Sequence, residues 1–262
     1  MSDIFSPLFI LREECERDLY GVFERLSLMG FDGAELLGLF SWPAEEVRKV
    51  ADKLHFRILG DHVPFSSFCI DEEAVLSRYE ILGCPYLTIS DLPWEKGIDS
   101  LASRIGKWAQ AASLRGITLL FHNHADEFHR DPPVLEALLD HPAAGLAFEP
   151  DLGWMGIAGV DCRYYLRKYR DRCPVIHLKD YYADRVGRVD VSRLGNKRGG
   201  DKEARFCFRP TGYGIMNYPL LRDDILACKP RAFVADHDCA YEGNPYQQLK
   251  DSLEYIRRWL EL

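Results

Sequence analysis

Long apolar runs are missing from this 262-residue chain; none approaches the roughly 18 residues needed to cross a bilayer. Its N-terminus, MSDIFSPLFILREECERD, lacks the basic region and cleavage site of a secretory leader. A soluble, cytoplasmic protein with no membrane partner is therefore expected. Positive charge is in deficit, with 33 Lys and Arg against 41 Asp and Glu, a net charge of −8. Such a surface repels phosphate backbones and argues against nucleic acid as a partner. The eight cysteines contain no CxxC pair and no small-domain framework, so they read as reduced thiols, mostly small core residues. There is no GxGxxG after the first apolar run, no phosphate loop and no nucleophile elbow. No low-complexity linker divides the chain, which reads as one domain over 1–262.

What is present is a rhythm. Helical spacing appears in Leu19, Val22, Phe23 and Leu26, in Leu101, Ile105, Trp108 and Ala112, and in Leu249, Leu253, Ile256 and Leu260. Between such stretches lie short apolar runs that read as buried strands: PLFIL, DGAEL, FRILG, PYLTIS, GITLLFH, GLAFEP, PVIHLK and AFVAD. Strict alternation implies parallel pairing through right-handed crossovers, and eight such units close a barrel. The predicted fold class is α/β, a (β/α)8 TIM barrel. An open doubly wound sheet is the competing arrangement, which the count of eight disfavours.

The strands end on polar residues. DGAEL ends near Glu35, FRILG runs into Asp61 and His62, and GITLLFH into His122, Asn123, His124 and Glu127. GLAFEP delivers Asp151, PVIHLK delivers His177, Lys179 and Asp180, and AFVAD delivers Asp236, His237 and Asp238. Any single acid here could be a helix N-cap, but a parallel barrel brings all these ends to one mouth, where active sites form. Glu127, Asp151, His177 and Asp236 would supply three oxygens and one nitrogen. That donor set suits one divalent ion, Mn²⁺ or Mg²⁺ first, with Co²⁺ or Zn²⁺ after them. Such an ion can hold two oxygens of a polyol and polarise a carbonyl while flanking carboxylates move a proton. His62 and Glu35 are assigned to the pocket, and of the two histidines flanking Asn123, His124 is assigned to substrate contact. Trp154 offers a face to a sugar ring or packs in the core. Lys179 would neutralise an enolate oxygen or pair with a mouth acid.

Taken in order, GFDGAEL, FHNHADEF, AFEPDLGW, IHLKD, PTGYGIMNYPLL and FVADHD resemble the sugar phosphate isomerase/epimerase family of xylose isomerase-like barrels, relatives of inosose dehydratase and the ketose 3-epimerases. The likeness spans essentially the whole chain, and HNHxxEF together with HLKD is its specific part. It implies that Glu127, Asp151, His177 and Asp236 hold the metal, with Glu127 also the catalytic base and Asp236 its catalytic companion; Lys179 stays a catalytic candidate on its own chemistry. Two departures stand out. The family's EQD is DHD here, so Asp236 replaces a longer Glu, and the family's GEG is GYG, which puts Tyr213 at a substrate-facing position. The resemblance implies a metal-dependent isomerase or epimerase of a keto sugar or related polyol. Dehydration of a keto-inositol or keto acid by the same enolate chemistry is the alternative within enzymes, and a barrel that binds sugar without turnover is a second. Abasic-site endonucleases share the barrel but carry a further histidine three residues after the sixth-strand Asp, where this chain has Trp154. Self-association is left open. Residues 184–209 carry eight Lys and Arg against four Asp and Glu, a basic segment that would cover the mouth, attract an anionic group or form a plain solvated loop.

Overall fold

The computed structural model describes residues 2–131, 133–184, 206–240 and 243–261. The strands are β1 (Asp3–Pro7), β2 (Gly33–Leu36), β3 (Arg57–Asp61), β4 (Tyr86–Ile89), β5 (Thr118–His122), β6 (Ala147–Glu149), β7 (Val175–His177), β8 (Asp180–Ala183), β9 (Phe206–Arg209) and β10 (Ala232–Val234). Ten helices join them: α1 (Arg12–Met29), α2 (Ala44–Leu54), α3 (Phe65–Leu82), α4 (Ile98–Ser113), α5 (Asp126–His129), α6 (Val134–Leu139), α7 (Leu152–Ala158), α8 (Cys162–Lys168), α9 (Tyr218–Ala227) and α10 (Pro245–Glu261), all among the described residues.

Parallel pairing runs β3-β2-β1-β10-β7 along one side of the wall and β4-β5-β6 along the other. Two isolated parallel bridges, His62 to Thr88 and Asp151 to His177, join these halves. The Val63 N–H donates to the Thr88 carbonyl at 2.8 Å, and the His177 N–H donates to the Pro150 carbonyl at 2.9 Å. The wall therefore closes as a (β/α)8 TIM barrel, as the alternation of strand and helix predicts. Each seam joins a residue just past one strand, His62 or Asp151, to a residue of the next strand, Thr88 or His177, so closure of the barrel and assembly of the site share residues.

Side chains sort into two apolar layers. Phe5, Leu59, Tyr86, Leu120, Val175 and Val234 fill the barrel interior, and a larger core lies between wall and helices. The two-residue period of a strand then sets the direction of the polar residues at its end. On β5, Leu119 and Phe121 face the helices and Leu120 faces inward, so His122 also turns inward. After Val175 the same parity brings His177 and Lys179 in, and after Val234 it brings in Asp236. Helices cover the outside with the residues their spacing predicts: Leu19, Val22, Phe23 and Leu26 on α1, and Leu101, Ile105, Trp108 and Ala112 on α4. On α10, Leu249, Leu253 and Ile256 point inward, and Trp259 rather than Leu260 completes the stripe. Burial of each such large side chain contributes roughly 1.5–3 kcal/mol.

Two elements differ from expectation. PLFIL is not the first strand: β1 lies earlier, at Asp3–Pro7, and Phe9–Leu11 forms a 3-10 turn. A short apolar run does not distinguish strand from buried turn. The Leu11 N–H donates to Leu8 instead of a neighbouring strand. The second difference is an antiparallel hairpin of β8 with β9, which the alternation of strand and helix does not predict. Of the basic segment 184–209, only Asp184 and the β9 residues are described; residues 185–205 lie outside the described set. Among the described residues no helix is long and apolar enough to cross a membrane.

Candidate metal centre and catalytic site

A cavity of about 1060 Å³ opens at the C-terminal ends of the strands. Its lining includes Glu35, His62, His122, His124, Trp154, His177, Lys179, Asp236 and Asp238. Three of the expected ligands come together, His177 and Asp236 on the cavity lining and Asp151 beside them, each offering an atom within 4.8 Å of the others. The His177 Nδ1 lies 2.9 Å from Asp236 Oδ2, so the shorter Asp arm reaches the imidazole. His122 stands beside this group, with Nε2 3.8 Å from Asp151 Oδ2.

Glu127 does not join them. Its Oε2 accepts the backbone N–H of His124 at 2.9 Å, and the residue is buried away from the cavity lining. The physical reason is local. Glu127 sits in a helix of four residues, α5, whose first N–H groups need an acceptor, and its own carboxylate supplies one. Burial pushes the Glu127 carboxyl up to about 7, against those backbone hydrogen bonds, which lower it. Tyr213 is also elsewhere: it is 54% exposed and does not line the cavity. Its turn is pinned to Asp180, which accepts the N–H groups of Gly212, Gly214 and Met216 at 2.9–3.0 Å.

The other expected contacts line the cavity. His62 Nε2 is 3.2 Å from Glu35 Oε2, and His124 Nδ1 is 3.6 Å from Asp91 Oδ1. Lys179 is almost fully buried, with Nζ 3.0 Å from Asp151, 3.1 Å from Asp236 and 2.9 Å from Asp238. Trp154 caps it, its ring centroid 4.8 Å from Nζ, a cation–π arrangement. Asp151 holds Trp154 in place by accepting its backbone N–H at 2.8 Å as N-cap of α7. Gly153 permits this approach, because a Cβ there would lie 2.6 Å from the Lys179 carbonyl oxygen.

Glu149 was not among the residues expected from sequence. It is completely buried at the end of β6, and its carboxylate faces three histidines: Oε2 is 3.4 Å from His62 Nε2 and 3.5 Å from His122 Nδ1, and Oε1 is 3.6 Å from His177 Nε2. The signal that could have found it is parity, since Glu149 stands two residues before Asp151 and shares its inward face. His62, His122, Glu149 and His177 also fall within 4.8 Å of one another.

These groups are charged unevenly. Burial holds His122 well below the usual imidazole range, which leaves it neutral with a free lone pair. Burial also works against a proton on His177, but Glu35, Glu149 and Asp236 outweigh it and raise that group. His62 is pushed up to about 10 in the same way, Glu35 and Glu149 overcoming burial. Burial, opposed by Lys179, pushes Asp151 up to about 7. Both Glu149 oxygens, Asp151 Oδ2, His62 Nε2, His122 Nδ1 and His177 Nε2 are buried without a well-aligned hydrogen bond. Buried polar atoms left unpaired in such a group need a partner; three carboxylates (Asp151, Asp236 and Asp238) gather around Lys179, and Glu35 and Glu149 stand against His177. A divalent cation fits this donor chemistry.

No protein-family model matches the chain. Inosose dehydratase of Mesomycoplasma hyopneumoniae (strain 7448) is 26% identical over 188 residues, 68% of this chain; the match spans 61% of the relative's length. A sugar phosphate isomerase/epimerase from Parabacteroides distasonis superposes with a TM-score of 0.73 at 17% identity, covering 98% of both chains. A xylose isomerase-like TIM barrel protein from Mycobacterium smegmatis, solved in complex with magnesium, superposes with a TM-score of 0.66 at 16% identity, covering 99% of this chain and 97% of the other. The chain has the xylose isomerase-like TIM-barrel fold, and its structural neighbours include sugar phosphate isomerase/epimerase and xylose isomerase-like proteins that share it.

Proposed function

We propose that the mouth is the active site of a divalent-metal-dependent enzyme that takes a proton from the carbon beside the carbonyl of a keto polyol, and that the reaction ends in loss of water. The observation that carries this reading is the grouping of Asp151, His177 and Asp236, whose donor atoms lie within 4.8 Å of one another and whose unpaired Asp151 Oδ2 stands 3.8 Å from His122 Nε2, beside a cavity large enough for a cyclic polyol. His122, Asp151, His177 and Asp236 would hold the ion, which supplies Lewis-acid polarisation of the substrate carbonyl. Lys179, charged and fixed by three carboxylates, is positioned to stabilise negative charge on the enolate oxygen. Asp236 and Asp238 line the same cavity and are the carboxylates available to accept the proton from carbon. His62, held protonated by Glu35 and Glu149, is the acid that protonates the departing β-hydroxyl. One C–H and one C–O bond break, one C=C bond forms, and water leaves. Trp154 and Phe208 wall off the lysine from solvent.

Dehydration is preferred because the matched relative is an inosose dehydratase. Isomerisation, in which the enolate is reprotonated instead, shares the first step. Incubating metal-loaded protein with inososes, keto acids and ketoses in deuterated water separates the outcomes. Formation of an unsaturated ketone absorbing in the near ultraviolet supports dehydration, and deuterium on carbon without water loss supports isomerisation. Neither product nor exchange from any of these substrates removes the enzyme reading.

A further inference from the structure

Glu149 enters the proposed dehydration only by helping to hold the proton on His62, yet no carboxylate of the site is more deeply buried. Like Asp151, it does not itself line the cavity. What it does touch is one nitrogen of each of three imidazoles. His122 turns Nδ1 to Glu149 Oε2 (3.5 Å), and His177 turns Nε2 to Oε1 (3.6 Å), a nitrogen that Glu35 Oε2 approaches more closely, at 3.1 Å. Their remaining nitrogens point the other way: His122 Nε2 lies 3.8 Å from Asp151 Oδ2, and His177 Nδ1 lies 2.9 Å from Asp236 Oδ2. His62 Nε2 shares the same carboxylate at 3.4 Å.

We propose that Glu149 is a positioning residue that fixes the tautomers of His122 and His177. Its negative charge favours the proton on His122 Nδ1 and, together with Glu35, on His177 Nε2, and so presents His122 Nε2 and His177 Nδ1 as lone pairs to the ion at the mouth. An imidazole can bind a metal only through its unprotonated nitrogen, and the hydrogen bond at the other nitrogen decides which that is. One carboxylate serving two ligating histidines makes their orientations interdependent. The backbone supports this: Glu149 ends β6, in register with His122 on β5, and Asp151 bridges to His177. The inference rests on the metal reading of the mouth, with His122 and His177 as ligands.

The test is a Co²⁺ titration of metal-free protein followed by the visible absorption of the bound ion, for the wild type, Glu149→Gln and Glu149→Asp. Nitrogen-15 correlation spectra of Zn²⁺-loaded samples report the imidazole tautomers. The wild type is expected to bind one ion, with His122 protonated at Nδ1 and His177 at Nε2. Glu149→Gln places an amide donor against an imidazole N–H; its Co²⁺ affinity should fall about 10- to 100-fold, and one histidine should change tautomer. Glu149→Asp, which keeps the charge on a shorter arm, should recover part of that affinity and the wild-type tautomers. Unchanged affinity and tautomers in Glu149→Gln would overturn the inference while leaving the metal reading intact. So would a second Co²⁺ equivalent in the wild type that Glu149→Gln alone removes, because Glu149 would then be a ligand. A wild type that binds no ion overturns the metal reading itself. Should Glu149→Gln not fold, Glu149→Asp and the wild-type tautomers decide.

Discussion

Lys179 is the residue on which the mouth's electrostatics turn. Its ammonium lies within about 3 Å of Asp151, Asp236 and Asp238, and burial alone would strip its proton. Three carboxylates outweigh burial and raise it well above the usual lysine range. Replacing it by Met leaves those acids buried and uncompensated. In metal-free protein Lys179→Met should cost about 3–5 kcal/mol in urea unfolding, and a saturating divalent ion should restore more stability to the variant than to the wild type. Glu127 behaves differently. Its folded-state carboxyl is pushed up to about 7 from 4.5 by burial, so the folded chain keeps a proton that the unfolded chain has lost. Stability from this group is therefore lost as pH rises from 4.5 through 7. Glu127→Gln, neutral throughout, should match the wild type near pH 4 and exceed it above pH 7 by on the order of 3 kcal/mol. Because the carboxylate sits off the cavity, turnover should fall by less than about tenfold, where loss of a catalytic base costs roughly 10²–10⁴-fold.

At the scale of elements, the turn after β9 hangs on one side chain. Asp180 accepts the N–H groups of Tyr181, Gly212, Gly214 and Met216, and Gly214 has no room for a Cβ beside that carboxylate, which would lie 2.1 Å away. Asp180→Ala should cost about 3 kcal/mol or more. Amide exchange should quicken at Gly212, Gly214 and Met216 and stay slow in β1 and β5. Most strands were legible in the sequence because a parallel strand covered on both faces is a continuous apolar run. β1 was not, because the apolar PLFIL continues past Pro7 into a turn that is buried for its own reasons. The β8–β9 hairpin was illegible because its strands are separated by a long charged segment that reads as a loop. For the site, His177, Asp151 and Asp236 could be read from strand ends, whereas Glu149 hides inside GLAFEP, a run that reads as plain core. FHNHADEF drew attention to Glu127, yet the inward parity set by Leu120 selects His122.

For the whole molecule, the barrel's two seams are closed by bridges at His62 and Asp151. An ion bound there ties together β5, β7 and the ends of β6 and β10, so metal removal should lower the melting temperature of the barrel as a unit, by several degrees at saturating ion. The decisive quantity is the metal content of the chain after stripping with chelator and reloading with Mn²⁺, Co²⁺ or Zn²⁺, read by elemental analysis beside His177→Ala, Asp151→Ala and Glu127→Ala. One tightly held ion per chain is expected in the wild type and in Glu127→Ala, and none in His177→Ala or Asp151→Ala. An ion that survives both of those substitutions, or one that only Glu127→Ala releases, would mean that the mouth donors are not the metal site.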